Sequence, residues 1–346
     1  MSRCVRAIDV GYSWTKFVIA GDRVDQIRCR AFPSIAPRAS GRDLALDGVS
    51  QRQTVQIAVD DLLFEVGPEA ALVQETVHAL PLDDAYTQTS EYLALVRGAL
   101  RLMHVSHVDL LVVGLPVALF RQQRHALEER LVGTHPVGGS DAVTVAAVRV
   151  LAQPVGALLS AALENASLRH LRAARTLIVD AGWRTLDWVV TSGPKILDKR
   201  SDSVAKSMFD VVDAIARAIS RDLGTQLGPF DYARIDEALR VGEPMRVFGR
   251  PVDLAPYLPL GQRVADEAVT AMRRLVQDGT DIDAIVLAGG GAGFFAGAIG
   301  RAYPKHTVTA LPDAFYANCR GFQIAGLQHA ENEQRRAAAI QRENQA

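Results

Sequence analysis

Two short segments of the 346-residue chain place an aspartate at the end of a β-rich run and a glycine two positions later: Asp9-Val10-Gly11 and Asp180-Ala181-Gly182. A carboxylate ending a buried strand is costly unless a cation or hydrogen bonds compensate it. Two such groups facing each other suit a hard, oxygen-liganded Mg2+. Glycine at each turn permits a positive φ and lets an anion approach backbone N–H groups. After Gly11, the hydroxyls of Ser13 and Thr15 and the ammonium of Lys16 add donors and charge suited to phosphate oxygens. The plainer alternatives are an ordinary turn with a solvated lysine at the first segment, and at the second a turn cap at Asp180 with Asp187 exposed.

Three further segments have chemical or packing potential. Gln153-Pro154-Val155-Gly156-Ala157 sets an uncharged amide at a helix start, where the positive helix end favours phosphate and the amide can orient water without acting as a strong base. Leu287-Ala288-Gly289-Gly290-Gly291-Ala292-Gly293 reads as a strand, a glycine turn and a helix, whose bare backbone can lie flat against a purine or ribose. It is not a dinucleotide fingerprint, because Phe294 breaks the required glycine spacing. In Ala314 to Phe322, Ala317 and Gly321 lie four apart on one helical face. They match the small residues Gly156, Ala157, Ser160 and Ala161, so the two helices can cross closely as a hinge.

The elements that must hold these groups follow from the apolar pattern. Arg3 to Ile8 and Thr15 to Ala20 form a hairpin around the first turn, and Thr176 to Asp180 with Thr185 to Thr191 repeats it about half the chain later. One α/β unit used twice is expected. Between the copies, a buried strand over Val108 to Gly114 stops before Pro116. A helix over 118–132, a turn at Gly138 to Ser140, a strand over 142–151 and a helix from Pro154 to about Leu171 follow. In the second half, 204–223 and 261–277 have helical spacing, 282–287 reads as a buried strand, and 331–346 as a frayed or solvated polar helix.

Composition bounds the class. A hydrophobic content of 49% with 22% charged residues supports two cores, and a net charge of −1 leaves no cationic surplus for direct nucleic-acid binding. Cys4, Cys29 and Cys319 are too few and scattered for a disulfide framework, which suggests a reduced, cytoplasmic setting. No run approaches a membrane span. His104 and His107 lack the company of a metal site and read as a surface turn. Trp188 reads as core, Trp183 as a residue able to close over a ligand, and Lys206 as a solvated helical lysine.

Taken in order, the five segments resemble the actin-like ATPase superfamily: phosphate 1 at 9–16, connect 1 at 153–165, phosphate 2 at 180–187, the adenosine segment at 287–293 and connect 2 at 314–326. The phrases Gly114-Leu115-Pro116, Gln153 to Ala157, Val179 to Trp188 and Ala317 to Phe322 are similar to the plasmid-segregation branch of ParM and StbA type. The resemblance implies two RNase H-like domains flanking a nucleotide cleft, domain I at 1–165 plus 312–330, domain II at 166–311, and a tail at 331–346.

It also implies ATP, ADP after hydrolysis, and Mg2+. Asp9 and Asp180 would hold the metal through water, with Gln153 and Asp180 catalytic. Lys16 would contact the phosphates, with Gly11, Tyr12, Ser13 and Thr15 also binding the nucleotide; Gly182 and Thr185 would wrap the terminal phosphate, Trp183 would close over the nucleotide, and Gly289, Gly290 and Gly291 would meet the nucleoside. A neutral amide at Gln153 implies slow hydrolysis. Members of the branch polymerise on ATP and attach to plasmid DNA through a separate DNA-binding adaptor, without membrane partners. Trp183-Arg184 departs from the small residues usual after the phosphate 2 glycine. A small-molecule, sugar-type kinase sharing the ATPase core is the competing expectation.

Overall fold

The computed structural model describes residues 3–39, 52–72, 84–164 and 173–343. Its first main sheet contains β1 (Val5–Val10), β2 (Trp14–Ala20), β3 (Arg28–Pro33), β4 (Leu110–Leu115) and β5 (Val148–Ala152) in the spatial order β5-β4-β1-β2-β3. The second contains β6 (Arg175–Ala181), β7 (Leu186–Ser192), β8 (Lys195–Ile196), β9 (Asp202–Val204), β10 (Ala284–Ala288) and β11 (Val308–Ala310). Its order is β8-β7-β6-β10-β11, with β9 also on β7. In both sheets the opening strand pairs antiparallel with the next strand on one side and parallel with a later strand on the other. The duplication expected from the paired turns is therefore a property of the fold.

Among the described residues, eight α-helices complete the two units: α1 (Ser90–Leu102), α2 (Val117–Leu131), α3 (Gln153–Glu164), α4 (Met208–Leu223), α5 (Pro229–Val241), α6 (Leu258–Val276), α7 (Ala292–Ala302) and α8 (Ala317–Glu343). Strand alternation sorts their partners. In β1, Ile8 and Val10 face the core shared with α1, while Val5 and Ala7 face α8. In β6, Leu177, Val179 and Ala181 face α4, α6 and α7, while Ile178 packs with α3. The pair α3 and α8 thus lies against the inner face of both sheets. Asp9 shares parity with Val5 and Ala7, and Asp180 with Ile178, so both carboxylates point to the same inner layer.

The helices of that layer meet backbone to backbone. A Cβ on Gly321 would lie 1.7 Å from the Gly156 carbonyl oxygen, and one on Gly156 would lie 2.6 Å from that of Asn318. The small-residue crossing expected from the sequence is thus present.

Several boundaries differ from the sequence expectations. The strand expected over 142–151 is two strands: Ala142–Val145 joins a small sheet with Gly133–Pro136 and His107–Val108, and only Val148–Ala152 enters the first main sheet. The helix expected from 204 begins at Met208, because 202–204 pairs with β7 and the Asp210 carboxylate accepts from the Ser207 N–H at 3.0 Å, fixing the helix start. Lys206 therefore precedes the helix, paired with Glu267. The end of the helix expected near Leu171 and the last tail residues, 344–346, lie outside the described residues. Up to Glu343 the tail continues α8 without a break.

Two cysteines far apart in sequence are neighbours in space. Cys319 on α8 is buried with its thiol on the Ala7 carbonyl at 3.9 Å, and Cys29 on β3 packs against the same cluster, because that strand lies beside β2 over the inner layer. All three cysteines are free. Among the described residues no helix is long and apolar enough to cross a membrane.

Candidate nucleotide cleft

The two Asp-x-Gly turns are the same object built twice. The N–H of Gly11 donates to the Trp14 carbonyl at 3.1 Å, and that of Gly182 to the Thr185 carbonyl at 3.0 Å. Across the hairpins, Asp9 is opposite Lys16 and Asp180 is opposite Asp187. Both turns open into one cleft that holds about 740 Å³ of space, part of it continuous with solvent. Asp9, Gly11, Tyr12, Ser13, Lys16, Gln153, Asp180, Gly182, Trp183, Thr185 and Gly289 to Gly291 all line it.

Thr15 does not. Its parity along β2 is that of Phe17, on the outer face, where its hydroxyl pairs with that of Ser34 at 2.9 Å. The alternation that aims Lys16 inward aims Thr15 away, so a phosphate-contacting role for its side chain is not supported. Asp187 is buried rather than exposed. It accepts from the Val117 N–H at 2.8 Å and from the hydroxyls of Thr185 and Ser203, which makes it the cap of α2. The Thr185 hydroxyl is thereby committed to Asp187.

The charges inside the cleft are strongly coupled. Lys16 donates to Asp9 Oδ2 at 3.1 Å, and the Gln153 amide donates to Asp9 Oδ1 at 3.0 Å. Burial works against the Lys16 charge, but Asp9 and then Asp180 outweigh it and hold the ammonium above its ordinary range. Asp180 is pushed up to about 7, first by burial and then by Asp187 and Asp9. Its partner is Asn318 on α8, whose Nδ2 donates to Asp180 Oδ2 at 2.6 Å. The Asn318 Oδ1 is buried without a partner among the described residues.

The three glycines after β10 do different things. Gly289 has a φ of +86°, and a Cβ there would stand 2.2 Å from Asp180 Oδ1. One on Gly291 would strike Met208 at 2.5 Å. Gly290 leaves room, its nearest neighbour being Phe315 at 3.7 Å. The glycine run therefore first lets the second turn pack closely, and of the three it is Gly290 that offers flat backbone with space before it.

Sequence reasoning missed Asn318 as a site residue, and also Arg184, Asp236, Arg240 and Phe315, all of which line the cleft. Asn318 lies in a segment whose visible signal is its small residues. Asp236 and Arg240 sit one turn apart on α5 with their charged groups 3.5 Å apart, and burial pushes Asp236 up to about 6 against the pull of Arg240. An i, i+4 ion pair is too common to mark a site by itself. Outside the cleft, His104 sits in the turn after α1, His107 pairs with Asp109 at 3.3 Å, and Trp188 lies in the core with its indole N–H on the Arg200 carbonyl.

Two homologous α/β units that enclose a cleft between twin Asp-x-Gly turns define a two-lobed protein of the actin-like fold. The chain belongs to the actin-like proteins. Residues 7–156 match the family model for the actin-like proteins N-terminal domain, and residues 178–299 match that for the archaeal actin homologue MreB-like C-terminal domain.

Solved structures similar to it include a 15-stranded ParM filament from Clostridium botulinum, 20% identical, with a TM-score of 0.74 over 95% of this chain and 100% of that one. An archaeal actin homologue in complex with ADP is 19% identical, with a TM-score of 0.68 over 93% and 98%. Bacillus thuringiensis ParM with AMPPNP is 13% identical, with a TM-score of 0.61 over 95% and 99%. No curated protein matches the chain significantly.

Proposed function

We propose that this protein binds and slowly hydrolyses Mg-ATP and assembles with itself into filaments that segregate plasmid DNA. The observation that carries the proposal is the convergence of Asp9 and Asp180, one from each unit, on a single cleft lined by both turns. Similarity in fold to ParM proteins and to structures carrying ADP and AMPPNP supports it. The domains are taken as 1–165 with 312–330, and 166–311.

The donor set fits Mg-ATP. Two buried carboxylates, an inward lysine, the buried unpartnered Asn318 Oδ1 and the open face of Gly290 suit a hydrated cation and a phosphorylated nucleoside. Bound Mg2+ would supply charge neutralisation at the phosphate oxygens. Asp9 and Asp180 would hold its water shell, and Asp9 keeps Lys16 oriented toward the phosphates. Gln153, held by Asp9, would place the attacking water but, as an amide, cannot take its proton, which is the basis for slow turnover. The near-zero net charge suits attachment to DNA through a basic adaptor protein rather than directly, in the cytoplasm.

Sedimentation and phosphate release test the proposal together. Pelleting that depends on Mg-ATP, with turnover abolished in Asp180→Ala and metal-dependent binding weakened in Asp9→Ala, is expected. A protein that stays monomeric at high concentration with ATP would overturn the filament part. Phosphate release stimulated by a sugar would favour a small-molecule kinase instead.

A further inference from the structure

Among the described residues three cations line the cleft, and two of them are already paired. Lys16 is 3.1 Å from Asp9, and Arg240 is 3.5 Å from Asp236. The third is Arg184, in the second turn between Gly182 and Thr185. Among the described residues no carboxylate pairs with it. Its guanidinium instead lies over the ring of Tyr12, in the first turn, 5.8 Å from the centroid. A cation parked on an aromatic face keeps its fork of donors free, and a half-buried contact of this kind is weaker than a charge-assisted pair with an anion, for which it can be exchanged.

The placement says which anion. Arg184 belongs to the turn of one unit and rests on the turn of the other, so it spans the end of the cleft where both Asp-x-Gly turns converge. The paired Asp236 and Arg240, by contrast, come from α5 of the second unit. We infer that Arg184 is a binding residue for the terminal phosphate of a nucleoside triphosphate, reaching it from the second turn and leaving Tyr12 when the triphosphate enters. The inference rests on the proposed nucleotide reading of the cleft and goes beyond it, since it assigns to this chain a guanidinium where small residues usually follow the turn glycine. A diphosphate, lacking that group, leaves Arg184 on Tyr12. The residue therefore makes the cleft discriminate between triphosphate and diphosphate.

The test is equilibrium binding of AMPPNP and ADP, with magnesium, to the full-length chain and to Arg184→Gln and Arg184→Lys. In Arg184→Gln, AMPPNP binding should weaken by about tenfold or more, while ADP binding changes by less than about twofold. Arg184→Lys should recover part of the AMPPNP affinity, since it keeps the charge but loses the bidentate fork. Equal losses for both nucleotides, or none for either, would overturn the assignment while leaving the nucleotide cleft standing. If the unsubstituted protein binds neither nucleotide, the proposed function fails and the assignment fails with it. Should Arg184→Gln not fold, Arg184→Lys carries the test alone: a loss for AMPPNP larger than that for ADP is expected, and equal losses or none would overturn the inference.

Discussion

The Asn318 side chain donates to the Asp180 carboxylate at 2.6 Å, joining α8 to the end of β6. Asn318 follows the first residue of the helix that packs against the first sheet, whereas Asp180 ends the opening strand of the second. The bond thus ties the helix packed on the first sheet to the second sheet at the cleft. Removing the donor in Asn318→Ala leaves a buried carboxylate without its partner, and a loss of about 1–3 kcal/mol is expected on urea denaturation. An unchanged midpoint and slope would show that the link contributes nothing to stability.

A pH dependence follows from the same carboxylate. With Asp180 pushed up to about 7 from the ordinary carboxylate range, the folded state prefers the protonated form. Its contribution to stability is full below about pH 4 and is lost as pH rises through 7. Asp236, pushed up to about 6, acts in the same direction over a lower window. In nucleotide-free protein with a chelator, Asp180→Asn should therefore gain melting temperature over the unsubstituted chain as pH rises from 5.5 to 8. A gap that stays constant across that range would contradict the assigned shift.

The crossing of α3 and α8 tolerates no added atom. Gly321→Ala would push a methyl into the Gly156 carbonyl, and the helices must separate to admit it. A destabilisation of about 1–3 kcal/mol is expected from such overpacking. Because Asn318 lies one turn away on the same helix, nucleotide binding should weaken in parallel. Full binding in a destabilised Gly321→Ala protein would mean that the crossing supports the fold but not the cleft.

A surface turn offers a gain in stability. Phe248 and Gly249 connect two short antiparallel strands, Met245–Val247 and Arg250–Val252, with φ of 48° and 75°. Such a turn requires left-handed backbone at both positions, which Asn adopts more readily than Phe. The Phe248 side chain is 82% exposed and so recovers little of the cost by packing. Phe248→Asn should stabilise the chain by roughly 1 kcal/mol in denaturant titration. A loss instead would show that the ring has a stabilising contact.

Much of the architecture is legible in the amino-acid sequence alone. The twin Asp-x-Gly turns, the flanking strands and the small residues of α3 and α8 are local patterns, because turn chemistry and apolar periodicity act over a few neighbours. They suffice for the duplicated α/β plan and the two cores, while the convergence of Asp9, Lys16, Gln153 and Asp180 is what the resemblance to the actin-like ATPases implies. Tertiary structure alone decides how those groups are spent. Thr15 turns outward by strand parity, Asp187 caps a helix seventy residues before it in the chain, and Gly289 makes room for Asp180 rather than for a base. The partnership of Asn318 with Asp180 and the stacking of Arg184 on Tyr12 likewise depend on which surfaces meet when two distant hairpins close on one cleft. No local pattern records that meeting, because its energy comes from contacts between segments far apart in sequence.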